Sequence, residues 1–173
     1  MSRSPAFIAH LGSVALLSLL VGCGVPAHTQ ETQQPEAVAE APLTQPASVG
    51  DEIAVRAISL VGKPYRYGGA DLEGFDCSGM VYFIHQALGI DVPRTAAEQQ
   101  RAAAHVAKAE LQPGDLLFFR TTRSKRISHV AIYVGENRFV HAPQSGKLIE
   151  LRTLDDQYYG RRLAGSGRFY PGS

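Results

Sequence analysis

"HVAIYVGENRFVHA", His129 to Ala142, decides the fold. Its first half, His129 to Gly135, runs apolar with β-branched content, as a buried strand does. "ENR" then turns the chain, and "FVHA" returns as a second apolar run. The stretch therefore reads as an antiparallel hairpin. His129 and His141 stand near its two ends, twelve positions apart. A pairing centred on Gly135, Glu136 and Asn137 brings them close together, with both imidazoles on one face.

Strands continue outward from this hairpin. "DLLFFR" follows the turn "QPGD", and "KLIELR" and "RRLAGSGRFY" read as further strands. Upstream the period changes to a helical one. "DEIAVRAISLVG" puts Ile53, Ala54, Ala57, Ile58 and Val61 on one stripe, with Gly62 as a stop. Gly62 to Gly74 reads as a Gly-rich loop. From Cys77, the residues Met80, Val81, Ile84, Ala87 and Leu88 recur at helical spacing until Gly89. "TAAEQQRAAAHVAK" opens with Thr95-x-x-Glu98, a capping-box pattern, and reads as a third helix. Helices first and strands later predict an α+β domain with an antiparallel sheet, spanning residues 51–173.

The N-terminal residues belong to a different regime. Arg3 precedes an apolar run, Leu11 to Gly22, that is short for a membrane-spanning helix and suits a secretory signal core. "LVGC" ends it and resembles a bacterial lipobox. That resemblance implies removal of residues 1–22 and lipidation of Cys23; an ordinary signal peptide with a coincidental cysteine is the alternative. Gly24 after Cys23 is similar to lipoproteins sorted to the outer membrane, so the expected location is its periplasmic face. Residues 23–50 read as the lipidated cysteine and a disordered tether, because residues 24–50 hold four prolines and no Phe, Tyr or Trp with which to build a core.

The whole chain has 173 residues, enough for one modest domain, and 45% hydrophobic residues, enough for a normal core. Its formal net charge is +1, which gives no reason to expect nucleic acid as a partner. Loss of residues 1–22 removes Arg3 and leaves 16 basic and 16 acidic residues. Bulk charge then holds the protein nowhere, and acyl chains on Cys23 would supply membrane attachment.

The two cysteines are Cys23 and Cys77. If Cys23 is lipidated, Cys77 has no disulfide partner. At a helix start, unsatisfied N–H groups and the helix dipole favour a thiolate, and a nearby imidazolium favours it further. The residues then read as nucleophile Cys77, base His129 and orienter His141. Three bland readings compete: a small buried hydrophobe, a Cys23–Cys77 disulfide, and a Cys–His–His zinc site, although close C-x-x-C or H-x-x-x-H spacing is missing.

"YRYGG…FDCSG", "ISHVAIYVG" and "FVHAP", with "PRTAAEQ" and "LQPGDLLFF" between, resemble in order and spacing the NlpC-type cysteine endopeptidases of the bacterial cell wall. The resemblance covers about residues 51–170. It implies a stripped-down papain-like fold, with N-terminal helices packed on an antiparallel sheet. It assigns Cys77, His129 and His141 to catalysis, and Tyr65 to the substrate or its developing oxyanion. Asp76 and Ser78 match positions that meet the amine end of a stem peptide in some members. The implied reaction is hydrolysis of peptidoglycan stem peptides or cross-links, at γ-D-glutamyl-diamino acid or D-alanyl-diaminopimelyl bonds. It requires neither metal nor organic cofactor, and a monomer suffices. An amidase or acyltransferase on the same three residues, or a catalytically idle wall-binding lipoprotein, are the alternatives.

Other polar residues receive structural readings. His85 and His105 are expected within helices as structural or solvated side chains. Thr95 is a cap, Arg94 a solvated neighbour, and Asp115, Asp155 and Asp156 are turn residues. Arg120, Arg123, Lys125 and Arg126 read as a mobile solvated loop, or else as a basic rim for carboxylates. For the anchor, Cys23→Ser is expected to release the protein from membranes on fractionation; retention in the membrane fraction would count against lipidation.

Overall fold

The computed structural model describes residues 48–172, and the expected signal segment, Cys23 and the part of the expected tether before Ser48 lie outside them. The first helix, α1 (Val49–Ser59), begins slightly earlier than expected. Ser48 caps it: its hydroxyl accepts the Asp51 N–H at 3.1 Å, and the Asp51 carboxylate accepts the Ser48 N–H at 3.1 Å. The buried stripe is Ile53, Ala54, Ala57 and Leu60, while Ile58 and Val61 are exposed. Positions 53, 57 and 60 follow the i, i+4, i+7 rule. Ile58 lies one step, about 100°, around the helix from Ala57, and a single sheet covers only one side.

Downstream of α1 the supposed loop contains a small hairpin, β1 (Ala70–Asp71) with β2 (Gly74–Phe75). It leads directly into α2 (Cys77–Gln86), which buries Met80, Val81 and Ile84. The third helix, α3 (Ala96–Ala102), is shorter than its pattern suggests. The chain becomes extended at Ala103 and forms β3 (Ala104–His105). His105 therefore lies on a strand rather than in a helix. Long-range pairing of β3 overrides the helical propensity of the alanine run, which is a weak local preference. His85 does lie in α2 and is fully buried, with Nδ1 donating to the Val81 carbonyl at 2.8 Å.

The expected strands follow as β4 (Leu116–Phe119), β5 (His129–Gly135), β6 (Arg138–His141) and β7 (Glu150–Thr153). A short helix, α4 (Gln157–Gly160), precedes β8 (Leu163–Arg168). The six-stranded sheet is antiparallel, in the order β3-β8-β4-β5-β6-β7. The fold is thus α+β, as the sequence pattern indicates.

Both faces of the middle strands are buried. Side chains alternate across a strand, so Leu116, Phe118, Val130 and Ile132 meet the helices, in one cluster with Ile53, Met80 and Ile84. Leu117, Phe119, Ala131 and Phe139 form a second cluster on the other face, with Leu154 and Tyr159. This explains why "LLFF" is a continuous apolar run.

One buried ion pair ties the sheet to the turn before β4. Asp115 is fully buried, and its oxygens accept from Arg168 Nε at 2.6 Å and Nη2 at 2.8 Å. The same carboxylate accepts the Gln112 N–H at 2.8 Å, so Asp115 fixes the turn as well as pairing with β8. Breaking such a pair strands a charge away from water. Arg168→Met should cost about 3–5 kcal/mol in urea unfolding. A loss below about 1 kcal/mol would show that Asp115 finds water or another partner.

Candidate functional site

The site is built on the start of α2. Asp76 is its N-cap, and its carboxylate accepts the Gly79 N–H at 2.6 Å. It also accepts the Gly68 N–H at 3.0 Å, which draws the preceding Gly-rich segment onto the helix end. Arg94 completes the clamp with a two-pronged contact, Nη1 to Oδ1 at 2.9 Å and Nη2 to Oδ2 at 2.8 Å. Arg94 further donates to the Gly69 carbonyl at 3.2 Å and to Ser78 Oγ at 3.1 Å. Gly79 has to be glycine, because a Cβ there would lie 1.9 Å from the Gly69 carbonyl oxygen.

Burial by itself would raise the Asp76 pKa. The Arg94 hydrogen bonds, the Gly79 N–H, the Arg94 charge and the Gly68 N–H outweigh it, and the net effect holds the carboxyl below its ordinary value. Asp76 and Ser78, expected at the substrate's amine end, are thus engaged with Arg94 and backbone in the free protein. They line, with Tyr65, Cys77, Arg94 and Ile127, a hollow of ≈ 530 Å³.

Cys77 is a free, partly exposed thiol in that hollow. Burial of the sulfur is the largest influence on it and pushes its pKa up; the Asp76 charge acts the same way. The N–H groups of Val130, Ser78 and Cys77 itself oppose this without overcoming it. The lowered thiol pKa expected from a helix start is therefore not found in the free groove, because desolvation outweighs the helix-end donors. The Val130 contact also locates the sulfur: it lies against the backbone of β5, one residue from His129. Tyr65 is half-buried, and burial followed by the neighbouring Cys77 and Asp76 charges raises its pKa. Its hydroxyl remains a proton donor.

His129 and His141 meet across the β5–β6 hairpin, with His129 Nε2 and His141 Nδ1 3.0 Å apart. Their register is centred on Glu136. Ile132 faces Val140 and Tyr133 faces Phe139, and the register then shifts so that Gly135 faces Arg138. Continued outward, this register sets His141 across from Ala131, two residues from His129. An offset of two keeps both rings on one face, whereas an offset of one would have separated them. The tight turn is possible because Glu136 and Asn137 take positive φ angles of 49° and 58°.

Both imidazoles are held neutral. Burial lowers the pKa of His129, and the neighbouring His141 lowers it further. Burial also lowers that of His141, assisted by the Arg152 charge and opposed by Asp156. Tyr159 of α4 packs its ring edge-on to His141, with centroids 4.8 Å apart, and Phe139 covers it at 5.3 Å. His129 lines a second hollow of ≈ 590 Å³ with Gln144, Lys147, Glu150 and Tyr158.

Sequence reasoning missed Arg94, Glu150 and Tyr159. Arg94 beside a cap was a legible cue; the other two come close only through sheet pairing and the α4 turn. Lys125, Arg120 and Arg126 line a separate basic hollow that shares Thr95, Ala97 and Ile127 with the Cys77 hollow. Among the described residues, no group of three or more His, Cys, Asp or Glu converges as a metal site would.

A model of the NlpC/P60 family matches residues 62–168, which include Cys77, His129 and His141. The chain belongs to the NlpC/P60 family. Its domain is similar to the murein DD-endopeptidase MepH of Escherichia coli strain K12, 43% identical over 117 residues, covering 65% of this chain and 43% of the relative. It is also similar to the gamma-D-glutamyl-L-lysine dipeptidyl-peptidase of Bacillus subtilis strain 168, 37% identical over 130 residues, with 75% and 44% covered. Among solved structures, an NlpC/P60 family protein from Bacillus cereus ATCC 10987 superposes with a TM-score of 0.68 at 34% identity, over 73% of this chain and 42% of that one. The chain thus spans under half the length of these relatives. The NlpC/P60 match bears out the family resemblance and the α+β, papain-like fold.

The Asp76–Arg94 clamp carries a pH signature. A carboxyl with a lowered folded pKa contributes stability above its unfolded value, near 3.9, and loses it as pH falls through the folded value. Arg94→Met should cost about 1–2 kcal/mol at pH 7, the pair being part-exposed. Urea midpoints compared from pH 7 to pH 3 should show that difference shrinking in acid. A difference independent of pH would assign the effect to packing of the Arg94 stem.

Proposed function

We propose that the protein is a lipid-anchored cysteine endopeptidase that hydrolyses amide bonds in peptidoglycan stem peptides or cross-links. One observation carries this reading: a thiol at a capped helix start lies against β5, whose first residue, His129, is joined to His141 at 3.0 Å. The relatives named as a murein endopeptidase and a γ-D-glutamyl-L-lysine dipeptidyl-peptidase support the substrate class. Their bonds differ, so the scissile bond is either the D-alanyl cross-link or the γ-D-glutamyl link.

In this mechanism Cys77 is the nucleophile and His129 the general base. Thiol and imidazole both rest neutral in the groove. Moving the thiol proton to His129 leaves the total charge unchanged, so it creates an ion pair rather than an isolated buried charge. The thiolate attacks the amide carbonyl. The tetrahedral oxyanion is met by the Cys77 N–H and the Tyr65 hydroxyl. His129 then returns the proton to the leaving amine, and a thioester remains on Cys77. Water, deprotonated by His129, hydrolyses the thioester and restores the thiol. His141 holds the His129 ring in place throughout.

Cys77 lines one hollow and His129 another, and both offer room for a peptide. Asp76 and Ser78 suit the amine end of a stem peptide once Arg94 shares them. The basic hollow beyond Thr95 suits its carboxylates. A lipid on Cys23 and a tether of residues 24–50 would keep the domain within the cell envelope, with the outer membrane's periplasmic face as the site of attachment.

The test is digestion of purified peptidoglycan by the full chain, with product masses compared against Cys77→Ala. Wild type should release fragments whose new termini identify one bond, and the mutant should be slower by about 10³-fold or more. Equal release by both would remove Cys77 from the reaction. Cleavage at the glycan or at the sugar–peptide amide would replace the endopeptidase reading.

A further inference from the structure

Glu150 stands directly opposite His141 in the β6–β7 pairing. Its Oε1 lies 3.3 Å from His141 Nε2, the nitrogen pointing away from His129. The His141 side chain is wholly buried, yet this nitrogen makes no aligned hydrogen bond with any group among the described residues. Buried ring nitrogens almost always find a partner. Glu150 brings a half-exposed carboxylate oxygen within reach of it. Arg152 Nε holds the same oxygen from the outside at 3.0 Å.

Counting protons shows what this contact does. A neutral imidazole has one N–H and one bare nitrogen. The His129–His141 link needs one proton between its two nitrogens, and two arrangements supply it. In the first, His129 Nε2–H donates to bare His141 Nδ1; His129 Nδ1 is then bare, and His141 carries its proton on Nε2. In the second, His141 Nδ1–H donates to His129 Nε2; His129 Nδ1 is then protonated, and His141 Nε2 is bare. Only the first leaves His129 a free nitrogen with which to accept a thiol proton. Only the first offers Glu150 an N–H; the second turns a lone pair toward a carboxylate.

We propose that Glu150 is a positioning residue that selects the first arrangement, extending the site to a Cys77–His129–His141–Glu150 relay. This rests on the reading of Cys77 as nucleophile and His129 as base. When His129 accepts the thiol proton, the imidazolium donates through Nε2–H to His141, which is polarised in turn by Glu150. The carboxylate supplies charge that a neutral second imidazole lacks. Arg152 and Asp156 face the same ring with opposite effects. Because β7 is the sheet's edge strand, solvent tempers the contribution of Glu150.

Ring ¹⁵N spectra of the full chain near pH 7 test the proton order without requiring turnover. Wild type should show His141 protonated on Nε2 and bare on Nδ1, and His129 bare on Nδ1. Glu150→Gln keeps an acceptor oxygen and should preserve that order. Glu150→Leu should give a mixture, with His129 Nδ1 partly protonated; Glu150→Ala replaces it if the leucine variant melts early. In hydrolysis, kcat should fall about tenfold for the leucine variant and about threefold for the glutamine variant, with KM unchanged, as for loss of one charge-assisted hydrogen bond on a half-exposed edge. Unchanged ring signals in a folded Glu150→Leu or Glu150→Ala would overturn the proposal. The expected proton order in a wild type that cleaves no stem peptide would sink the endopeptidase reading and leave the role of Glu150 in proton order standing.

Discussion

The two-pronged contact between Arg94 and Asp76 is the constraint on which the site depends. Through Asp76 it caps α2, and through Gly68 and Gly69 it pulls the preceding loop against the helix end. That closure sets the sulfur of Cys77 beside the Val130 N–H and Tyr65 on the same hollow. A carboxylate with so many donors is saturated, and a saturated polar group inside a fold is rigid. In the proposed mechanism rigidity is useful, because reacting groups have to be held at contact distance before the substrate arrives.

The same burial that makes the centre rigid also keeps it uncharged. Desolvation works against the thiolate of Cys77 and against protonation of both His129 and His141. Burial therefore works against a thiolate–imidazolium pair in the substrate-free groove. In the proposed mechanism charge separation belongs to the encounter with substrate, where the developing oxyanion accepts from the Cys77 N–H and the Tyr65 hydroxyl and the bound peptide excludes water. The edge position of β7 lets a carboxylate, Glu150, stand next to the dry imidazole pair while remaining half in water, so its own charge costs little.

Much of this was legible in the order of residues. The hairpin from His129 to Ala142, the apolar run of β4 and the start of α2 at Cys77 all appear where periodicity and turn residues place them. The departures have specific causes. Ile58 and Val61 are exposed while Leu60 is buried, because one sheet admits only one side of α1. The alanine run after Arg101 leaves the helix because β8 offers backbone partners at Ala104 and His105. The partner of Arg94, Asp76, lies eighteen positions earlier in the chain, beyond the reach of a local pattern.

The sequence by itself determined which chemistry is available: one thiol at a helix start, two histidines an even offset apart around a turn, and the motifs of a cell-wall hydrolase family. These are local or periodic properties, set by neighbours within a few positions. Only the tertiary structure decided how those groups are poised. That the two histidines share a face depends on the one-residue shift in the β5–β6 pairing between Tyr133 and Gly135. The neutral state of thiol and imidazoles follows from burial by both clusters of the sheet, and the approach of Glu150 to His141 follows from β6–β7 pairing. Such features depend on which distant segments share a face, and on how much water they exclude between them, so no local pattern records them.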